Sequence, residues 1–358
     1  MSAIASRPSV VDEIAARRRA DLEQELAGEV DMNDMPAPRS VAERLARPGL
    51  HLIAELKRSS PSAGRIAVDE EDLVARARAY EAGGAAVISV LCEPHWFGGS
   101  VDDLRRVRDA VSIPVLAKEF VVDERQLPLL RAAGADLVLL LAVLHPTDAL
   151  ARFVGRAFEL GLEPLVEAHD AAELDAALGT DARLIGINNR DLRTLDVDTE
   201  RADRLRSLVP DDRIVIAESG VRDPSTVARW RALGFDAALV GEALMRSPDP
   251  RAAAAAFVTA GRQPHDPANV ARRPFVKICG ITDRAGIHAA VRAGADAVGL
   301  NIVSGTPRAL SVAEGRELAN EARSVGDPAI VLVTADASDE LLTEAVPAID
   351  PDAIQASG

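Results

Sequence analysis

One pattern constrains the fold of this chain more than any other. From Leu50 onward, short β-rich apolar runs recur at 51–57, 85–91, 113–118, 137–142, 162–167, 183–188, 213–218 and 236–241. Amphipathic stretches rich in Ala, Arg, Glu and Leu separate them, such as SVDDLRRVRDAV and PSTVARWRALG. Continuous apolar strands joined by helical connections pair in parallel through right-handed crossovers. Eight of them over roughly 200 residues fit a closed α/β barrel of the (β/α)8 type, a TIM barrel. An open doubly wound sheet is the rival, weakened because no GxGxxG turn follows the first run. A helix is expected from about Val10 to Leu26 and a shorter one ending at Leu45, so residues 1–48 form an N-terminal helical extension and 49–260 the barrel. Residues 261–274, GRQPHDPANVARRP, read as a linker. From 275 to 358 the alternation resumes with four strands and three helices, an incomplete half β/α barrel.

Composition narrows the partners. Of the 358 residues 48% are hydrophobic and only 3% aromatic, so the core is built from Ala, Val, Leu and Ile. A net charge of −15 argues against nucleic acid and anionic membranes as partners, although a local cationic site could still hold a small anion. Cys92 and Cys279 are the only cysteines and sit in no metal-ligand spacing. Residues 1–10 lack an apolar signal core, and the run from Leu137 to Leu144 is far too short to span a bilayer. A cytoplasmic protein that uses neither metal nor cofactor is expected.

Only three of the 41 basic residues are lysines, namely Lys57, Lys118 and Lys277, each at or near the end of an apolar run. Arginine serves wherever a generic cation would do. A compact, pKa-tunable amine is what arginine cannot supply. In a (β/α)8 barrel, chemistry sits at the C-terminal ends of the strands. Those ends carry Glu55 and Lys57, Lys118, Glu167, Asn188 and Arg190, Glu218 followed by Ser219-Gly220, and Gly241-Glu242. Glu55, Glu167 and Glu218, with the cations Lys57, Lys118 and Arg190, converge on one rim and point to acid–base chemistry. Lys118 could act there as a Schiff-base nucleophile or as a general acid. The turns at Gly220 and Gly241 suit a phosphate, with Ser60, Ser62 and Lys57 as further donors, and ordinary strand–helix turns are the alternative. A phosphorylated sugar derivative is the expected ligand. Phe97, Phe120, Pro61 and Leu192 are candidate apolar walls, or plain packing residues. His95 and His145 fall in loops and read as surface residues.

The motifs IAELKRSSPSAG, FGGS, VLAKEF, EPLVEAHD, IGINNRDL, AESGV and VGEALMR stand in this order, each at a strand end. Over residues 10–260 they resemble the indole-3-glycerol-phosphate synthase family of tryptophan biosynthesis. The resemblance implies ring closure of 1-(2-carboxyphenylamino)-1-deoxyribulose 5-phosphate with loss of carbon dioxide and water. It implies Lys118 as general acid, Glu167 as proton carrier, and Glu55 with Lys57 as the first-strand pair. It further implies that Asn188, Glu218 and Ser219 position the reacting centre, that Arg190 sits near the anthranilate carboxylate, and that Gly220, Gly241 and Glu242 bind phosphate through backbone.

Residues 275–358 resemble the start of phosphoribosylanthranilate isomerase through VKICGIT, AGADAVGLNIV and TPRAL. Cys279 matches that family's general base and Arg308 its substrate-binding arginine. The usual SPR is TPR here, and QLHG is QASG. The isomerase's acidic partner and phosphate site belong to strands 5 to 8, which do not occur among the 358 residues. An inactive, vestigial unit is therefore expected. The alternatives are a second barrel completed in trans, or a non-catalytic module for self-association or for a tryptophan-pathway partner.

Overall fold

The eight apolar runs become eight strands of a closed barrel, β1 His51–Leu56, β2 Val87–Leu91, β3 Val115–Lys118, β4 Leu137–Leu141, β5 Glu163–Ala168, β6 Leu184–Asn188, β7 Ile214–Glu218 and β8 Ala237–Val240. All pair in parallel, each with its sequence neighbours, and β1 closes the ring by pairing with both β8 and β2. The computed structural model describes residues 9–25, 35–62, 64–66, 72–262, 276–326, 328–335 and 337–357. Nearly all of the expected linker, and residues 1–8 and 26–34 of the extension, lie outside the described residues. The chain divides into two units, Met1–Val270 and Ala271–Gly358. Among the described residues no helix is long and apolar enough to cross a membrane.

In the first unit the helices are α1 Val10–Glu25, α2 Ala42–Leu45, α3 Leu73–Ala82, α4 Val101–Ala110, α5 Gln126–Ala132, α6 Thr147–Glu159, α7 Ala171–Leu178, α8 Arg201–Arg206, α9 Pro224–Ala232, α10 Glu242–Met245 and α11 Pro250–Arg262. Local chemistry starts several of them. The side chains of Asp72, Ser100, Asp170 and Asp223 each accept a backbone N–H from the first turn of the helix that follows, which satisfies a donor the helix cannot pair itself. One apolar layer lies between strands and helices and contains Ile88, Val138, Val166 and Trp230. A second fills the barrel interior with Ile53, Leu116, Leu139, Leu165 and Ile216, and joins Val11 and Ile14 of α1. The described part of the extension thus contributes Val11, Ile14, Val41 and Leu45 to the inner apolar layer.

The opposite end of the barrel is stitched by aspartates. Asp136, just before β4, accepts the Val115 N–H that opens β3 at 2.9 Å, and Asp236, before β8, accepts the Val215 N–H of β7 at 2.8 Å.

The second unit holds strands β9 Lys277–Cys279, β10 Ala297–Asn301, β11 Ala329–Ala335 and β12 Ala353–Ser357, paired in parallel in that order, with helices α12 Arg284–Arg292, α13 Val312–Val325 and α14 Asp339–Ile349 between them. Val298, Leu300, Ile330 and Leu332 pack with Ile287, Leu318 and Ile349 of the helices, while Ala297, Val331 and Val333 form a small cluster on the other face. Ser311 and Glu314 form a reciprocal capping box at the start of α13. The same stitches recur here: Asp296 accepts Val276 N–H at 2.8 Å and Asp352 accepts Ile330 N–H at 2.7 Å.

Candidate active site

Parallel pairing delivers the strand ends to one rim, and a cavity of about 540 Å³ opens there. Glu55, Lys57, Ser60, Pro61, Phe97, Lys118, Phe120, Glu167, Asn188, Arg190, Leu192, Ser219, Gly220, Gly241 and Glu242 all line it. Glu218 does not. It lies below the floor, 1% exposed, with Oε2 accepting from Lys118 Nζ at 2.6 Å.

Lys118 is the hub. Its ammonium lies 2.6 Å from Glu218, 3.6 Å from Glu55 and 3.7 Å from Glu167. Burial alone would lower its pKa, but the three carboxylates together raise it above the usual lysine value. The amine is therefore held protonated. Of the two roles left open by its place at a strand end, this environment favours proton donor over Schiff-base nucleophile. Glu55 shows the reverse balance: burial would raise it, and Lys57 and Lys118 hold it below the usual carboxylate range. Lys57 Nζ donates to Glu55 Oε1 at 2.7 Å. Burial first, and then the adjacent Glu167, push Glu218 up to about 8 against the pull of Lys118. Glu167 is oriented by Asn188, whose Nδ2 donates to Oε1 at 2.6 Å, while Asn188 Oδ1 accepts the Arg190 N–H at 2.9 Å.

The turns after β7 and β8 need their backbone geometry. Ser219 has φ 63° and is steadied by the buried Asn189, whose Nδ2 donates to its carbonyl at 3.1 Å. At Gly241 a Cβ would sit 2.3 Å from Glu55 Oε1 and 3.2 Å from Lys57 Nζ, so any side chain here would have to displace that pair. The Glu242 carboxylate turns to Arg246, 2.9 Å away.

Several features escape a reading by strand ends. Val10, Val11 and Ile14 of α1 form a roof over the cavity. That helix is tied down by Arg18 on Glu119 at 3.3 Å, beside Lys118, and by Asp21 on His95 at 2.8 Å. Helical spacing revealed α1 as a helix but not what its apolar positions face. His145 is not a surface residue: it is half-buried against Phe153 and bonded to the Val121 carbonyl, because its loop folds back over the barrel. His169, directly after β5, stands among the rim residues without being marked by the strand-end pattern. It is buried, bonded to Glu173 through Nδ1 and 2.8 Å from Arg193 through Nε2. Among the described residues His169, Asp170 and Glu173 are the one group whose ligand atoms cluster as metal ligands could, but Arg193 already occupies the free ring nitrogen.

Comparison with known proteins bears on residues 4–257. Indole-3-glycerol phosphate synthase of Kineococcus radiotolerans is 48% identical over 234 residues, covering 65% of this chain and 84% of the relative. The enzyme of the same name from Mycobacterium ulcerans is 46% identical over 268 residues, covering 73% of this chain and 98% of the relative. Residues 4–257 match the family described as indole-3-glycerol phosphate synthase, and the chain belongs to that family.

Proposed function

We propose that Lys118 is the general acid, and Glu167 the proton carrier, of the ring closure this carboxy-lyase performs in tryptophan biosynthesis. The reaction converts 1-(2-carboxyphenylamino)-1-deoxyribulose 5-phosphate to indole-3-glycerol phosphate, carbon dioxide and water. The observation that carries the assignment is the Lys118 ammonium, held charged among three buried carboxylates at the cavity floor. As the aryl carbon that bears the carboxylate attacks the ribulosyl C2 carbonyl, the carbonyl oxygen gains charge, and an ammonium there supplies the proton. Loss of carbon dioxide restores the aromatic ring. The new C2 hydroxyl then leaves as water, taking a second proton, while a base removes one from the former C1 carbon. We assign that transfer to Glu167, which Asn188 steadies.

Ring closure also requires the aryl group to lie over the sugar carbon, a positioning task. Phe97, Phe120, Pro61 and Leu192 are the walls we assign to it, with α1 above. Arg190 is assigned to the anthranilate carboxylate. The phosphate is assigned to Ser60 and the backbone N–H groups at Gly220 and Gly241, and Lys57 is within reach of it or of the leaving hydroxyl. Indole formation followed by ultraviolet absorbance tests the reading. Turnover lost in Lys118→Met with unchanged circular dichroism supports it; retained turnover sinks it. Borohydride trapping on Lys118 during turnover would restore the Schiff-base role.

For residues 276–357 we propose the first half of an isomerase-like barrel. The supporting observation is that the Arg308 side chain reaches the turn just past Cys279: a Cβ at Gly280 would lie 2.6 Å from Arg308 Cδ. Isomerase turnover by this chain is expected to be nil. Turnover that disappears in Cys279→Ser would overturn that. Ile278 and Ile354, exposed on the two outer strands, support the alternative role in association, which a concentration-independent monomer on size exclusion would remove for self-association.

A further inference from the structure

The loop after β2, CEPHWFGGS, turns on a buried carboxylate to which the reaction assigns no part. Glu93 has none of its surface exposed. Its Oε1 accepts the His95 N–H at 2.8 Å, and its Oε2 accepts those of Trp96 at 2.7 Å and Phe97 at 3.1 Å. Its own carbonyl accepts the Gly99 N–H at 2.9 Å, which closes the loop. A Cβ at Gly99 would lie 2.0 Å from the Leu91 carbonyl oxygen, so the return passes only through glycine. Three converging N–H groups form a nest suited to an anion. Both carboxylate oxygens accept, whereas an amide would set an NH2 against one of those donors.

The turn gives two near neighbours separate tasks. His95 faces outward and meets Asp21 of α1 at 2.8 Å. Phe97 faces the cavity, its ring centre 6.0 Å from that of Phe120. The loop after β1 leans on the same turn, with Ser59 Oγ donating to the Trp96 carbonyl at 2.9 Å.

We propose that Glu93 is a positioning residue for the aromatic half of the substrate: its carboxylate holds the backbone of residues 95–97 so that Phe97 is presented beside Phe120 while His95 keeps the roof helix latched. The proposal rests on the assignment of Phe97 to the wall that the anthranilate ring meets. Glu93 itself touches no reacting atom, so its loss acts on binding of the ring and leaves the proton donor in place.

The test is steady-state kinetics on the full chain with Glu93→Gln, Phe97→Ala and the double variant, each checked for fold by circular dichroism. Glu93→Gln is expected to raise KM roughly tenfold while kcat changes less than about threefold. The inhibition constant of inorganic phosphate, which has no ring, is expected to stay put. The double variant is expected to be no worse than the worse single one, since both act through the same wall. Should Glu93→Gln fail to fold, Glu93→Asp, which retracts both acceptors, is read by the same criteria. An unchanged KM in the Glu93 variant, full additivity in the double variant, or a phosphate constant that moves with KM would overturn the proposal. If Phe97→Ala leaves KM unchanged, the wall assignment itself has failed; if it raises KM while Glu93→Gln does not, only the role of Glu93 is lost.

Discussion

Replacing Glu218 by glutamine separates an acid from a carboxylate at the site's floor. Glu218 is pushed up to about 8 by burial and by Glu167, so near neutral pH it takes up a proton far more readily than an ordinary carboxyl. Glutamine has the shape and charge of that protonated form. Its carbonyl can accept from Lys118, as Glu218 Oε2 does at 2.6 Å, and its NH2 can donate toward Glu167. Glu218→Gln at pH 7 should therefore keep kcat within about threefold, whereas removing a true proton carrier costs about 10²–10⁴-fold. The alkaline side should differ more. In the native enzyme, deprotonation of Glu218 near pH 8 adds a negative charge beside Lys118, which then holds its proton harder and donates it less readily. The native kcat should decline above about pH 8, and the variant should lack that decline. Stability follows the same proton. The carboxyl's folded pKa lies above its ordinary value of 4.5, so its contribution is full below 4.5 and is lost as pH rises through about 8. Glutamine should remove that slope from the pH dependence of Tm. Indole formation and thermal unfolding, each measured across that range for both proteins, decide the matter. A hundredfold loss at pH 7, or an alkaline limb unchanged by the substitution, would refute the reasoning.

Lys118→Arg keeps a charge but loses the compact amine, so kcat should fall about 10²-fold or more with KM changed less; near-native turnover would remove Lys118 from the chemistry. Gly241→Ala would drive a methyl into the Glu55–Lys57 pair, so kcat/KM should fall by about 10²-fold with the circular dichroism spectrum intact. Arg18→Met takes the guanidinium from beside Glu119, where the two side chains are 3% and 1% exposed; urea unfolding should show a loss of about 3–5 kcal/mol, and KM should rise as α1 loosens. Cys279→Ser should leave indole formation unaltered, since the match to the synthase family ends at residue 257.

The strands were legible because a parallel barrel buries both faces of each one, and runs such as IPVLAK and LVLLL have no other period. Their ends agree with the observed strands within about two residues, an ordinary error for boundaries. The polar rim was legible for the same reason: a charge at the end of an apolar run has few places to go except the mouth. What stayed hidden depended on contacts between distant segments. Val11 and Ile14 pattern as one side of a helix, but only the fold shows that side lining the cavity. Glu93 and His169 sit in loops whose turns are made by side chains bonding backbone, and those have no periodicity to detect. Glu218 was placed on the right strand, yet whether it lines the cavity or lies beneath it depends on how far Lys118 reaches across.

The aspartate stitches carry a consequence for assembly. Asp136, Asp236, Asp296 and Asp352 each tie the start of one strand to the start of the strand before it, about twenty residues back. Each stitch needs only its own strand–helix–strand unit, so it can close without waiting for the ring to shut. A chain emerging from the ribosome can thus set its register one unit at a time from the end that bears no chemistry. The device occurs at two junctions in each unit, so the same local contact helps to set register in the four-stranded sheet and in the eight-stranded barrel. The rim loops are then left to vary with the reaction, because the alignment of the strands beneath them is fixed elsewhere.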